Sequence, residues 1–339
     1  MLTYDLPHDD PLGVLTSTRF VLERTRSVRI NQDALRQIAV DLGGLMAHAP
    51  DWHDPRHFAD GTWRTAGWIL VLDALNFCFW SQSPDPAQRW QVEWDGRVEN
   101  GYWALAASLT RAVAEGRAIW DPIWLAGLTT RDVAHMLRPH VEHAPEIPLL
   151  PLRVHNLHEL GRGLRDLASA GPNPVETLVS SAGGSAAALI QSIVRRFPSF
   201  NDVARYEGEE VRFYKRAQIL AADLHGAFFG YGLGKFNDLA KLTAFADYKV
   251  PQVLHGFGAL VYSDNLTATI AARRLLPAGS PEEIEIRAAT IWACEWLRQI
   301  LAESGANHLA TEIDWLLWFA GQSLPASMPT YHRTLTIFY

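Results

Sequence analysis

The chain has almost no cysteine: Cys78 and Cys294 are the only two in 339 residues, and they stand far apart. Two distant thiols encode neither a disulfide framework nor a cysteine zinc site, so a reducing compartment, the cytoplasm, is the expected setting. No run of about twenty apolar residues occurs, and the first residues lack the pattern of a signal peptide, so neither membrane insertion nor export is expected. A basic excess is also missing. Thirty Lys and Arg face 37 Asp and Glu, a formal net charge of -7, which argues against a surface that coats nucleic acid because phosphate binding calls for cations. A local basic pocket stays compatible with that balance. There is no nucleophile-elbow pattern and no internal repeat. Gly230-Tyr-Gly-Leu-Gly234-Lys235 lacks the preceding buried strand and the full glycine pattern of a phosphate loop, so it is expected to be a turn. His140 with His143, and His155 with His158, have spacings a helical metal site uses, yet no carboxylate or cysteine joins them at ligand spacing. Neither a metal nor another cofactor is expected.

What the chain does have is length, apolar residues and indole rings. It exceeds the usual single-domain size and can bury a sizeable core, either as one large domain or as two intimately packed lobes. Thirteen tryptophans suit a core first and a ring-stacking pocket second. Residues 1–20 are polar and proline-bearing and read as an N-terminal arm. Asn31 is an N-cap candidate ahead of Leu35, Ile38, Leu42 and Leu45 at helical spacing. Asp95-Gly96 between two alternating stretches, and Gly208 within 206–213, each predict a hairpin. Thr129-Thr-Arg-Asp132 and Ser280-Pro-Glu-Glu283 have the chemistry of helix starts. Residues 144–151 carry three prolines in eight positions and form the candidate boundary between lobes, read as an internal strap. Helices dominate throughout. The expected class is all-α with one or two small β-hairpins.

Four stretches carry chemistry. Residues 49–61 place His53, Asp54, Pro55, Arg56 and His57 in a turn-rich loop too polar for the core and free to face a ligand, or else simply solvated. Asp73 and Asn76 lie in the apolar run 63–80, where i and i+3 spacing puts both on one helix face, to bind a ligand or tether backbone. Lys215 and Arg216 begin a helix, an odd place for cations unless an anion sits nearby. Residues 241–252 set the carboxylate of Asp247 between Phe245 and Tyr248, with Lys249 and Pro251 following. Apolar neighbours disfavour the ionised acid and an ammonium favours it, so its proton affinity can be tuned to a task. The alternative is a cap: Asp247 would accept backbone N–H groups of a helix starting near Pro251. On these residues alone both readings stand.

Taken in order, Asp73-Ala-Leu-Asn-Phe-Cys-Phe-Trp80, Gly101-Tyr-Trp103, Phe213-Tyr-Lys-Arg-Ala-Gln-Ile-Leu220, Phe245-Ala-Asp-Tyr-Lys-Val-Pro-Gln252 and Glu285-Ile-Arg287 with Trp292 and Glu295 resemble the queuosine salvage protein family. The likeness runs from about Asn31 to Tyr339. It implies an all-helical body shaped like the DNA glycosylases, built as one domain over 1–339. It also implies hydrolysis of the N-glycosidic bond of queuosine 5'-monophosphate, which frees queuine for tRNA modification together with ribose 5-phosphate. The family's Phe-x-Asp maps onto Phe245 and Asp247, with Asp247 as the catalytic carboxylate. Its late-helix acid and following aromatic map onto Asp314 and Trp315, and its early-loop histidine onto His53, with His57 as the fallback. Some members carry a further acid in that helix, where Phe319 stands here. Lys215 would suit the phosphate or ribose, and His332, Arg333 and Tyr248 are weaker candidates for substrate contacts. The implied substrate is a free mononucleotide, so no nucleic-acid partner is expected. The reading from another class is a queuine- or 7-deazaguanine-binding protein without catalysis, which holds if Asp247 only caps.

Overall fold

The computed structural model describes residues 3, 4, 6, 9–45, 51–141, 143–167, 171, 173–325 and 327–339. Helices dominate them, and the strands form only two-stranded antiparallel ribbons, so the chain is mainly α as expected. Among the described residues no helix is long and apolar enough to cross a membrane. The chain divides into two compact units: one from residues 1–50, 202–215 and 238–334, the other from 51–201, 216–237 and 335–339.

The first unit is organised around the helix Pro281–Glu303. Ser280 caps it, its hydroxyl accepting the Glu283 N–H at 3.4 Å, with proline at the first turn. Four helices pack on it: Val14–Leu22, Gln32–Leu45, Lys249–Gly256 and Ala310–Ala320. Surrounded in this way, it buries charged residues that must find partners. Glu285 finds them by stapling the N-terminal segment: one carboxylate oxygen accepts from the Thr25 hydroxyl and the Ser27 N–H, both at 2.7 Å, and the other from the Tyr206 hydroxyl at 2.8 Å. Asn31 caps the second helix as expected, with Asp33 and Ala34 N–H donating to its side chain. The expected arm over residues 1–20 gives way from Val14 onward to a helix that buries Val14, Leu15, Thr18, Val21 and Leu22. Those positions form one apolar stripe at helical spacing, and the polar outer face disguises it. Strand Val28–Ile30 pairs with Leu260–Tyr262, and Val203–Tyr206 turns at Glu207-Gly208 into Glu209–Arg212.

The second unit has at its heart the helix Trp63–Leu75, buried at every position from Thr65 on. Gly101–Ala114, Leu150–Arg165 and Pro174–Ser180 pack around it. Asp95 and Gly96 both take positive φ in the turn joining Gln91–Trp94 to Arg97–Asn100, the geometry a two-residue hairpin demands. Thr129 and Asp132 complete a reciprocal capping box. Residues 144–151 lie within this unit and lead into its Leu150–Arg165 helix. Residues 230–235 form a turn, with a short 3-10 segment at Gly232–Gly234. The polar loop before Trp63 is described from Asp51; Ala49 and Pro50 lie outside the described residues.

One expectation fails here. Asp73 is helical, but the helix stops at Leu75 and Asn76 takes φ -80° and ψ 70° as its C-cap, so the two do not share a helix face. The cause is a pair of buried arginines from distant sequence. Arg216 donates to the carbonyls of Asp73 at 2.9 Å and Ala74 at 2.8 Å. Arg153 donates to those of Leu75, Phe77 and Cys78, and through Nε to Pro148. These guanidinium groups satisfy the carbonyls that a helix C-terminus leaves open and place positive charge at the negative end of its dipole. Burial lowers the Arg153 pKa to about 9.

Candidate active site

Asp247 sits at the entry to the helix Lys249–Gly256, almost fully buried. Its Oδ1 accepts the backbone N–H groups of Lys249 and Val250, both at 2.9 Å. The capping geometry is therefore present, although it occupies a single oxygen. Two residues upstream, the Phe245 N–H donates to Oδ1 of Asp314 at 2.8 Å. The late helix Ala310–Ala320 thus fastens the stretch that carries Asp247, and two carboxyl groups belong to one buried cluster.

Their electrostatics set them apart. Burial raises the pKa of both acids. The rise at Asp314 is large because the charge of Asp247 adds to burial, and the Phe245 N–H and the Lys215 ammonium offset only part of it. On Asp247 the Lys215 ammonium, the two N–H bonds and the Lys249 charge all oppose the effect of burial. Burial and mutual repulsion therefore favour a proton on this pair, and the Lys215 ammonium and the backbone N–H groups favour the charge. Burial and the same two carboxylates push the Cys294 thiol well above its usual range. That makes it a poor nucleophile.

Lys215 is the first residue of its helix and is buried. Its charge lowers the proton affinity of both acids, which accounts for a cation at the positive end of a helix. Trp315 is half-buried and stacks on Trp318, with ring centroids 5.2 Å apart and 12° between planes. Phe319 lies at the end of that aromatic run, 40% exposed, where an acid would have offered a polar contact. Tyr248 packs against Tyr331 at 5.0 Å. His332 is buried, and burial together with the Arg287 charge takes its pKa down to about 3, so it is neutral. Arg333 donates to the Arg273 carbonyl at 2.7 Å, and its own carbonyl accepts the Leu276 N–H. It fastens the C-terminal stretch of this unit.

His53 and His57 belong to the second unit. His53 is exposed, bonded through Nδ1 to the Asp51 carboxylate at 3.0 Å and stacked nearly flat on Phe229 at 4.3 Å. His57 is buried between Trp52 and Trp103. Its Nδ1 lies 2.6 Å from the Trp52 carbonyl, which can only accept, so Nδ1 carries the proton and Nε2 accepts the Tyr102 hydroxyl at 2.9 Å. Burial takes its pKa to about 4. The Tyr102 phenol is in turn raised well above its ordinary range by burial and by Asp223 and Asp73. Sequence reasoning had no role for Tyr102, since nothing local announces a partner 45 positions away. His140 and His158 each direct a ring nitrogen at a backbone carbonyl, of Gln91 and Leu128. Among the described residues no group of three or more side chains could hold a metal ion.

Comparison with known proteins agrees with the family resemblance noted in the sequence. The profile of the queuosine salvage protein family matches residues 56–339. A Sphaerobacter thermophilus protein named queuosine 5'-phosphate N-glycosylase/hydrolase is 50% identical over 97% of this chain and 98% of its own. Proteins of the same name from Dictyostelium discoideum and Mus musculus are 35% and 34% identical, over 96% and 97% of this chain and 98% and 99% of theirs. With a family profile spanning most of its length and relatives matching nearly end to end, the chain belongs to the queuosine salvage protein family.

Proposed function

We propose that the chain hydrolyses the N-glycosidic bond of queuosine 5'-monophosphate, releasing queuine and ribose 5-phosphate. The observation that carries this is the buried pair of carboxyls, Asp247 at its helix entry and Asp314 bonded to the Phe245 N–H two residues upstream, with the Lys215 charge acting on both. Cleavage of this bond develops positive charge on the sugar, which an ionised carboxylate stabilises as a contact ion, as a nucleophile or by orienting water. The two N–H bonds to Asp247 fall on Oδ1, leaving Oδ2 to face C1′. Queuine is a 7-deazaguanine and has no N7 to protonate, so its developing negative charge needs donors at its other edges. A protonated Asp314 is such a donor. In the water route the C1′–N bond breaks as a C1′–O bond forms, Asp247 takes the proton from water, and the departing base takes one from Asp314.

Phe245 and Trp315 supply flat faces for the base. Lys215 meets the ribose or phosphate, and His53 is our further candidate for a substrate contact. His332, neutral at physiological pH, together with Arg333 and Tyr248 supports the C-terminal and turn segments more than the substrate. The substrate is the free mononucleotide and not tRNA, in keeping with the net charge of -7. The two buried cysteine thiols suit work in the cytoplasm. The capping bonds of Asp247 favour one second reading, a queuine-binding protein without catalysis. Purified protein incubated with the mononucleotide and assayed for free base by chromatography separates the two. The glycosidase reading expects release of queuine that Asp247→Asn abolishes; unchanged release in that variant, or none from the parent, overturns it.

A further inference from the structure

Asp202 and Arg287 form a buried ion pair that the chemistry above does not use. Arg287 rises from the central helix of the first unit, and Asp202 precedes its hairpin. The guanidinium and carboxylate meet as a two-pronged fork, with Nη1 to Oδ1 at 3.0 Å and Nη2 to Oδ2 at 2.5 Å. Glu283, one turn earlier, stands 3.6 Å from the same guanidinium, which lies 3.8 Å above the Phe213 ring.

Each partner also holds backbone, and the places held are telling. Nε of Arg287 donates to the carbonyl of Ala246 at 3.1 Å, the residue between Phe245 and Asp247. Oδ2 of Asp202 accepts the Lys215 N–H at 3.2 Å, and the Asp202 carbonyl accepts the N–H groups of Phe213 and Tyr214. Tyr214 takes φ 49°, a conformation a bulky side chain rarely adopts and one that surrounding contacts must enforce. One ion pair therefore fixes the backbone at Asp247 through one partner and at Lys215 through the other.

A buried ion pair is a poor device for stability alone, because well-packed apolar residues of similar volume serve as well or better. An apolar pair, however, holds neither a carbonyl nor an N–H. We propose that Asp202 and Arg287 are positioning residues for the glycosidic reaction, setting the Asp247 carboxylate against the Lys215 ammonium. The proposal rests on Asp247 being the catalytic carboxylate. It follows that losing the pair lowers kcat, while affinity for the free base, which ring stacking provides, is retained.

Three variants test this: Arg287→Lys, Asp202→Asn and the apolar double variant Asp202→Leu/Arg287→Met. Thermal unfolding reports the fold, tryptophan fluorescence titrated with queuine reports binding, and kcat is taken per queuine-binding site. Arg287→Lys keeps the charge but loses the planar fork and the Nε–H bond to Ala246. The expected result is a folded double variant that binds queuine within about twofold of the parent and turns over about a hundredfold more slowly, as misplaced catalytic groups do. Arg287→Lys should lose about tenfold in kcat, with Asp202→Asn alongside it. Parent-like kcat in the folded double variant overturns the proposal. Should that variant not fold, Arg287→Lys decides on the same criterion. Turnover retained in Asp247→Asn would instead overturn the reading of the site. An inactive Asp247→Asn beside a fully active double variant would overturn only the positioning role.

Discussion

The backbone N–H of Phe245 donates to the carboxylate of Asp314 across 69 positions of sequence. An acid whose proton is favoured by burial and by a neighbouring carboxylate thus also holds the strand of chain that presents that neighbour. Fold and protonation are coupled at this one bond.

Asp314→Asn separates them. The amide oxygen still accepts from Phe245, but nothing remains to ionise. Because the folded-state pKa of Asp314 lies above its ordinary 3.8, the parent keeps its full stability below that value and loses some as pH rises through the folded one. The variant is therefore expected to match the parent in Tm near pH 4 and to exceed it at pH 8, with the gap widening between. Turnover should fall about a hundredfold for want of a proton donor. A pH-independent Tm difference would contradict this assignment of the proton.

Asp247 has two duties that different substitutions divide. Asparagine keeps an oxygen for the Lys249 and Val250 N–H groups, whereas alanine leaves both unanswered in a buried setting. Both variants lack the charge and should be inactive. Urea unfolding is expected to show Asp247→Ala less stable than Asp247→Asn by about 1–2 kcal/mol. Equal midpoints would mean that the capping bonds contribute nothing.

His57 should make the protein acid-sensitive. Its pKa falls from 6.5 to about 4 on folding, so the unfolded chain binds the extra proton, and the His57 contribution is complete above pH 6.5 and lost as pH falls towards 4. The full effect is about 3 kcal/mol. In His57→Gln the stability lost between pH 7 and pH 4.5, measured by urea unfolding, is expected to be smaller than in the parent by roughly 2 kcal/mol. Identical losses would remove His57 as the source.

Local chemistry was legible in the sequence wherever the partner lies within a few residues. Asn31 and Ser280 cap the helices they precede, and Asp95-Gly96 turns its hairpin, because each depends on short-range hydrogen bonds or φ preferences. The Val14–Leu22 helix is masked in the sequence, because polar residues on its outer face and the proline before it hide the buried positions. Asn76 was not legible, since the arginines that end its helix stand 75 to 143 positions away from the carbonyls they hold between residues 73 and 78. Within the candidate site, the aromatic setting of Asp247 pointed to a tuned acid, and the family likeness added Asp314. Nothing near Asp202 marks it out, because its meaning comes entirely from Arg287, 85 residues on.

The pairing of Val28–Ile30 with Leu260–Tyr262 has a consequence for synthesis. A ribosome adding about 5–20 residues per second needs roughly 10–50 s to pass from the first strand to the second. Throughout that interval Val28–Ile30 lacks its strand partner, and the buried face of Val14–Leu22 lacks the Pro281–Glu303 helix that covers it. Translation speed over residues 31–262 thus sets how long the N-terminal segment stays open to proteases and to other chains.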